Sequence, residues 1–213
     1  LSAMASVPIF HFLARRVLGK ATRGTLLAVA LFAVSEPSIR FGGEVKPYAT
    51  DLLVSLVLLS VAVIWLHAPE RGRGLWVLAA VAPLAIGVSL PSIFLIGSIA
   101  VVGLWEVFRW RKTGLLIAYG GFLAAAGLAI AAMAALGRYN TSPADRAYFL
   151  KFWATAFPPS WSDPTALVGW MIRSHTGPLF ACLPGGAPGQ NWVSALFFGC
   201  FVVGTVVRGR REP

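Results

Sequence analysis

The chain has 213 residues, 57% of them hydrophobic and 12% charged, with a mean hydropathy of +0.75. Soluble domains carry about 25% charge, so a water-soluble enzyme or binding module is excluded. The net charge of +10 would suit nucleic acid. The cations, however, stand in short groups between apolar runs, which is the pattern of membrane topology and not of a nucleic-acid patch.

A spanning helix needs about 20 apolar residues. Leu1 to Ala14 reads as the tail of one span, followed by a basic turn of Arg15, Arg16, Lys20 and Arg23. No charged leader with a cleavage site precedes that run, so the chain is expected to begin mid-protein. Gly24 to Ser35 is a short second span. A polar stretch, SEPSIRFGGEVKPYATD, leads into a full span from Tyr48 to His67. Glu70, Arg71 and Arg73 form the next turn. Leu75 to Phe108 holds 34 residues with Glu106 as its one charge, too long for one straight helix at about 1.5 Å per residue. It is expected to be a hairpin turning at Ser89-Leu90-Pro91-Ser92. Arg109, Arg111 and Lys112 follow, then a span from Leu115 to Leu136. A long loop, residues 137–191, precedes a last span from Trp192 to Val207, closed by Arg208, Arg210 and Arg211.

The expected fold is therefore all-α, a polytopic transmembrane helix bundle forming one region over residues 1–213. Four turns, at 15–23, 70–73, 109–112 and 208–211, hold twelve of the eighteen basic residues. The positive-inside rule makes them cytoplasmic in a multi-pass inner-membrane protein. The 35–48 segment, the 89–92 turn and the 137–191 loop then face the exoplasm, the side that holds five of the eight acids, Glu36, Glu44, Asp51, Asp145 and Asp163. Within the long loop, Ser142-Pro143-Ala144-Asp145 offers an N-cap, a proline at the first helical position and an acid in the first turn. Tyr148, Phe149, Phe152 and Trp153 share a face until Pro158-Pro159. Asp163-Pro164 restarts a helix with Leu167, Val168, Trp170 and Met171, ending before Gly177-Pro178. Two amphipathic helices lying in the interface fit this pattern; tethering the loop to the bilayer is the simpler role for them.

The strongest polar constellation is Arg40, Glu44, Lys46, Tyr48 and Asp51. Gly42-Gly43 permits a sharp turn, and Pro47 suits the first helical position, so Lys46 falls at a helix N-terminus. Such an end favours a phosphate, and Lys46 and Arg40 would add full charges for binding a lipid phosphate. Asp51, a carboxylate inside a span, is a functional candidate by default, with Glu44 beside it as the second catalytic candidate. The plainer reading has Lys46 and Arg40 reaching to headgroups, Glu44 paired with one of them and Asp51 favouring the helix dipole. Glu36, Arg138, Arg146, Lys151 and Arg173 are weaker candidates, the arginines serving equally as anchors. His11, His67 and His175 stand apart, and no metal spacing or nucleotide-binding glycine motif is present, so no cofactor is indicated. Cys182 and Cys200 suit neither a mutual disulfide nor a metal site. Asn140-Thr141-Ser142 matches the glycosylation pattern just past a span.

The order of these features, with E-x-K-P-Y-x-x-D from Glu44 to Asp51 opening a span and F-W-x-x-x-F-P from Phe152 to Pro158 in the long loop, resembles the polytopic GT-C glycosyltransferases. The likeness is to the middle portion of the bacterial family-39-like group related to protein mannosyltransferases and aminoarabinose transferases. The resemblance implies sugar transfer from a polyprenyl-phosphate donor to a lipid, glycan or protein acceptor outside the membrane. It implies a main catalytic acid upstream of Leu1, and Glu44, Lys46, Tyr48 and Asp51 at the cavity mouth. Two other classes remain open. A transporter or flippase would use Asp51 and Glu36 for a proton or cation, although the polar groups gather at one face and no internal repeat is visible. A non-catalytic assembly subunit would need no site.

Overall fold

The computed structural model describes residues 1–19, 22–34, 47–140, 142–152 and 158–176, together with 196, 199, 200 and 202–204. Every regular element among them is helical. The described residues up to Asn140 form one compact unit and those from Ser142 belong to a second.

The described residues of the first unit form six α-helices: α1 (Ser2–Leu18), α2 (Thr22–Ala33), α3 (Tyr48–Leu66), α4 (Arg73–Val88), α5 (Ser92–Trp110) and α6 (Thr113–Asn140), with a 3-10 turn at Pro69–Arg71. Three of them, Tyr48–Leu66, Ser92–Trp110 and Thr113–Gly137 within α6, are long and apolar enough to cross a membrane. The 12 residues of α2 and 16 of α4 reach only about 18 and 24 Å at 1.5 Å per residue, short of a bilayer core of about 30 Å.

Helix boundaries depart from expectation where cations were taken as stops. Helix α1 does not end at Ala14 but carries Arg15 and Arg16 in its last turn, and Arg23 lies inside α2. Arginine is a good helix former, and cations favour a helix C-terminus. The long loop does not begin at 137: α6 continues to Asn140, putting Arg138 on a helix. The hairpin turn falls where expected, with Ser89 extended at φ −140° after α4 and Pro91 leading into α5. Of the span expected from Trp192 to Val207, residues 196, 199, 200 and 202–204 are helical, and the remainder lies outside the described residues.

Packing follows a seven-residue rhythm. Helix α4 buries Leu75, Leu78, Ala82, Ala85 and Ile86, and α5 buries Ser92, Ile96, Ile99, Gly103, Glu106 and Val107. This is the spacing of a helix face turned to its neighbours. Leu115, Ala118, Tyr119, Phe122 and Ala126 complete the core from α6. Its centre of gravity is Trp65 at the end of α3, 2% exposed. A Cβ added at Gly74 would collide with the Trp65 Cβ and stand 2.8 Å from its Cγ. A Cβ at Gly103 would lie 3.0 Å from Tyr119 Cε2 and 3.4 Å from Trp65 Cη2. The Trp65 indole N–H donates to the Pro69 carbonyl at 3.3 Å, and the Tyr119 hydroxyl donates to the Ala100 carbonyl at 2.9 Å. Three helical serines are satisfied locally, whereas the Ser92 hydroxyl is buried without a partner. Ser6, Ser60 and Ser98 each donate to the carbonyl one turn back, so they expose no unpaired hydroxyl to hydrocarbon.

These contacts also fix directions. Ser2 Oγ lies 3.4 Å from Thr50 Oγ1, so α1 and α3, which pack together, start at the same end. Phe10 and Phe32 stack at 4.3 Å, pairing α1 with a reversed α2. Trp76, early in α4, sits over Gly121, early in α6. The start of α2, the turn after α3 and the turn after α5 therefore share one end of the unit. That end carries Arg15, Arg16, Arg23, Arg71, Arg73, Arg109, Arg111 and Lys112. The opposite end carries Asp51 and the 89–92 turn.

Among the described residues of the second unit, α7 (Pro143–Phe152) and α8 (Pro164–Thr176) are the regular helices longer than one turn. The expected aromatic face of α7 rests partly on Trp153 and on the side chains of Phe149 and Phe152, which lie outside the described residues.

Gly74→Val should force Trp65 from its seat and destabilise the solubilised protein by roughly 1–3 kcal/mol. Gly97→Val, where an added Cβ meets nothing within 4 Å, should leave the melting temperature nearly unchanged. Thermal unfolding in detergent, followed by size-exclusion chromatography, reads both.

Candidate functional site

Pro47 sets the start of α3. Its φ of −68° is what the pyrrolidine ring imposes, and its carbonyl accepts the N–H groups of Thr50 and Asp51, each at 2.9 Å. Tyr48 opens the helix and is 42% exposed. Asp51 follows at i+3 on the same side, half-buried in the first turn. The positive end of the helix dipole stabilises negative charge there. No charged residue follows until Glu70, so Asp51 is the last polar anchor before the apolar body of α3. Among the described residues its carboxylate makes no ion pair and no side-chain hydrogen bond. Thr50 meets Ser2 across the helix pair, which brings the start of α1 to the same spot. The geometry thus unites Tyr48 and Asp51 on one turn. Arg40, Glu44, Lys46 and Glu36 lie outside the described residues.

No family model, curated protein or solved structure matches this chain. Its chemistry has to be argued from its own residues.

The other sequence candidates are dispersed. Asp145 is engaged in a cap: the Ser142 hydroxyl donates to Asp145 Oδ2 at 2.6 Å, and the Asp145 N–H donates to Ser142 Oγ at 3.2 Å. Asp163 caps α8 by accepting the Ala166 N–H at 2.9 Å. Lys151 and Arg173 are exposed on α7 and α8. His67 Nδ1 lies 2.7 Å from the Val63 carbonyl, so that ring is held by its own helix. Cys200 is free and exposed. Among the described residues no group of three His, Cys, Asp or Glu could hold a metal ion. The side chains of Arg138, Arg146 and His175 lie outside the described residues, as does Cys182.

Two features escaped the sequence reading. Glu106 is an acid inside an apolar helix and is only 8% exposed. The Trp110 indole N–H donates to its Oε2 at 3.0 Å, and Arg109 approaches its Oε1 at 3.8 Å. Arg109 and Lys112 flank the Trp110 ring at 6.0 and 5.4 Å from its centroid. Its partners mark Glu106 as a structural anchor, and its place within a span was the signal that could have singled it out. The second feature is a cavity of about 370 Å³ between α1 and α2, lined by His11, Arg15, Gly19, Thr22, Thr25 and Leu26. No spacing in one segment announces it, because its walls come from two helices.

Ser142→Ala removes both bonds of the Ser142 hydroxyl, leaving the backbone N–H bond to Asp145 Oδ2, and should cost α7 about 1 kcal/mol. Hydrogen exchange at residues 143–147 should quicken several-fold, while exchange in α8 stays as before.

Proposed function

We propose that this chain is part of a membrane glycosyltransferase that moves a sugar from a polyprenyl-phosphate carrier to an acceptor on the exoplasmic side. The observation that carries the reading is the unpartnered Asp51 carboxylate in the first turn of an apolar helix, beside Tyr48, at the end of the unit away from the basic turns. By the positive-inside rule the basic end is cytoplasmic, and Asp51 then faces the exoplasm at headgroup depth. The E-x-K-P-Y-x-x-D segment ending at Asp51 carries the resemblance to GT-C enzymes.

The chemistry asks for two things. A carboxylate takes the proton from the acceptor hydroxyl as its oxygen bonds to the anomeric carbon. Fixed positive charge receives the lipid phosphate as the sugar–phosphate bond breaks and the electron pair leaves with oxygen. In this reading Lys46 and Arg40, with the N-terminus of α3, hold the departing phosphate. Asp51 and Glu44 assist a principal acid supplied from upstream of Leu1. Helices α7 and α8 suit an interfacial position: their apolar residues Tyr148, Leu150, Val168, Met171 and Ile172 are 49–64% exposed. The sugar donor, the surrounding lipid and a lipid, glycan or protein acceptor are the partners this reading requires.

In the intact protein, Lys46→Ala should abolish transfer from a polyprenyl-phosphate-linked sugar in isolated membranes without lowering expression. Retained transfer would remove Lys46 from the mechanism. Asp51→Asn should slow transfer roughly 100-fold if the carboxylate moves a proton; an unchanged rate would reduce it to a structural role. Orientation has its own check, with Cys182 and Cys200 replaced by Ser. Arg71→Cys should react with an impermeant maleimide only in opened cells, and Ser160→Cys in intact spheroplasts as well. The reverse pattern would put Asp51 on the cytoplasmic side and end the proposal.

A further inference from the structure

The cavity between α1 and α2 lies at the basic end of the first unit, opposite Asp51, and is independent of the glycosyltransferase reading. Its polar walls are His11 and Arg15, one turn apart on α1, and Thr22 and Thr25 on α2. Thr25 is 3% exposed, and its hydroxyl has no hydrogen-bond partner. Ser6, Ser60 and Ser98 show how such a group is satisfied inside a helix, by donating back to the carbonyl at i−4; Ser92, in the first turn of α5, is left without a partner as Thr25 is. Thr25 sits in the first turn of α2, and its i−4 position lies ahead of the helix. Thr25 lines the cavity, and its buried unpaired donor is unfavourable.

The charge around it is of one sign. Residues 1–35 contain four basic residues and no acid, and among the described residues Arg15 makes no ion pair. A second cavity of about 330 Å³ adjoins Arg15 and Gly19 and adds Phe12 and Arg16. There Arg16 lies over the Phe12 ring, 5.4 Å from its centroid, so Arg16 is engaged while Arg15 is open. Thr22 opens a helix of 12 residues, whose positive dipole end borders the cavity. An exposed guanidinium, a buried donor without an acceptor and a helix N-terminus together ask for an anion with several acceptor oxygens.

We propose that the α1–α2 hairpin holds a phosphate group between Arg15 and the Thr25 hydroxyl, with His11 as a further donor. The group belongs either to an anionic lipid headgroup or to a free phosphate.

The test uses the full chain in detergent. Native mass spectrometry reads retained phosphatidylglycerol against phosphatidylcholine, and calorimetric titration reads inorganic phosphate. Arg15→Gln should weaken phosphatidylglycerol binding about tenfold, equivalent to about 1.4 kcal/mol. Thr25→Val, which keeps the shape and removes the hydroxyl, should weaken it several-fold. Arg109→Gln, in another turn of the same basic end, should leave it unchanged. Loss confined to phosphatidylglycerol identifies a lipid headgroup; the same loss with inorganic phosphate identifies a free phosphate. The site is overturned if Arg15→Gln binds both probes like the parent chain, or if Arg109→Gln weakens them equally. Should Thr25→Val fail to assemble, judged by circular dichroism, Arg15→Gln against Arg109→Gln decides alone.

Discussion

The first unit depends on how Trp65 is seated. In lipid, burying apolar surface between helices gains little, because the acyl chains are as apolar as leucine. Association then rests on close packing and on hydrogen bonds across helices. Gly74 and Gly103 supply the close approach, since any Cβ at either would run into an aromatic ring. The Trp65 ring enters the space they leave and ties α3 to α4 and α5. Tyr119 joins α6 to the same point through its hydrogen bond to Ala100. Four helices are thus registered at one level, close to the basic turns. With that level fixed, the length of α3 determines how far away Asp51 lies.

That registration divides the unit chemically. In the turns after α3 and α5, charges are partnered or flanked: Glu106 by Trp110 and Arg109, the Trp110 ring by two cations, Arg71 with Glu70 at 3.7 Å. Arg111 closes α5 in a left-handed conformation, φ 48°, its N–H donating to the Val107 carbonyl. Tryptophan with arginine and lysine at a helix end is the usual anchor at a membrane interface. Among the described side chains at the opposite end, Asp51 is the charged one.

What was legible in the chain was local. Pro47 and the uncharged run behind Asp51 mark both ends of α3. Ser89 to Ser92 marks the hairpin turn, and Ser142 with Asp145 marks a cap that closes as its spacing implies. Cations misled wherever they were read as punctuation, because arginine continues a helix readily and its long stem reaches the interface from inside the last turn. Hence α1 runs through Arg15 and Arg16, and α6 runs past Gly137. Contacts between distant segments were not legible. Nothing near Gly74 in sequence says that a tryptophan nine residues earlier will lie on it, and nothing in α1 alone shows that Arg15 will share a cavity with Thr25. The Tyr48–Asp51 half of the candidate site was readable, being one turn of one helix.

Two acids in apolar helices make the functional argument sharper than either would alone. Glu106 incurs the cost of placing a carboxylate within an apolar helix, whereas Asp51 stands half-buried in the first turn of one. Glu106 recovers it through an indole N–H and a guanidinium supplied by its own helix, at i+4 and i+3, so stability accounts for its presence. Asp51 has the dipole of α3 and no side-chain partner among the described residues. A dipole at an exposed helix end is worth about 0.3–1 kcal/mol, which a neutral capping residue would match without the charge. A carboxylate that stability does not require, held at the mouth of a helix bundle, is best explained by what it binds or deprotonates.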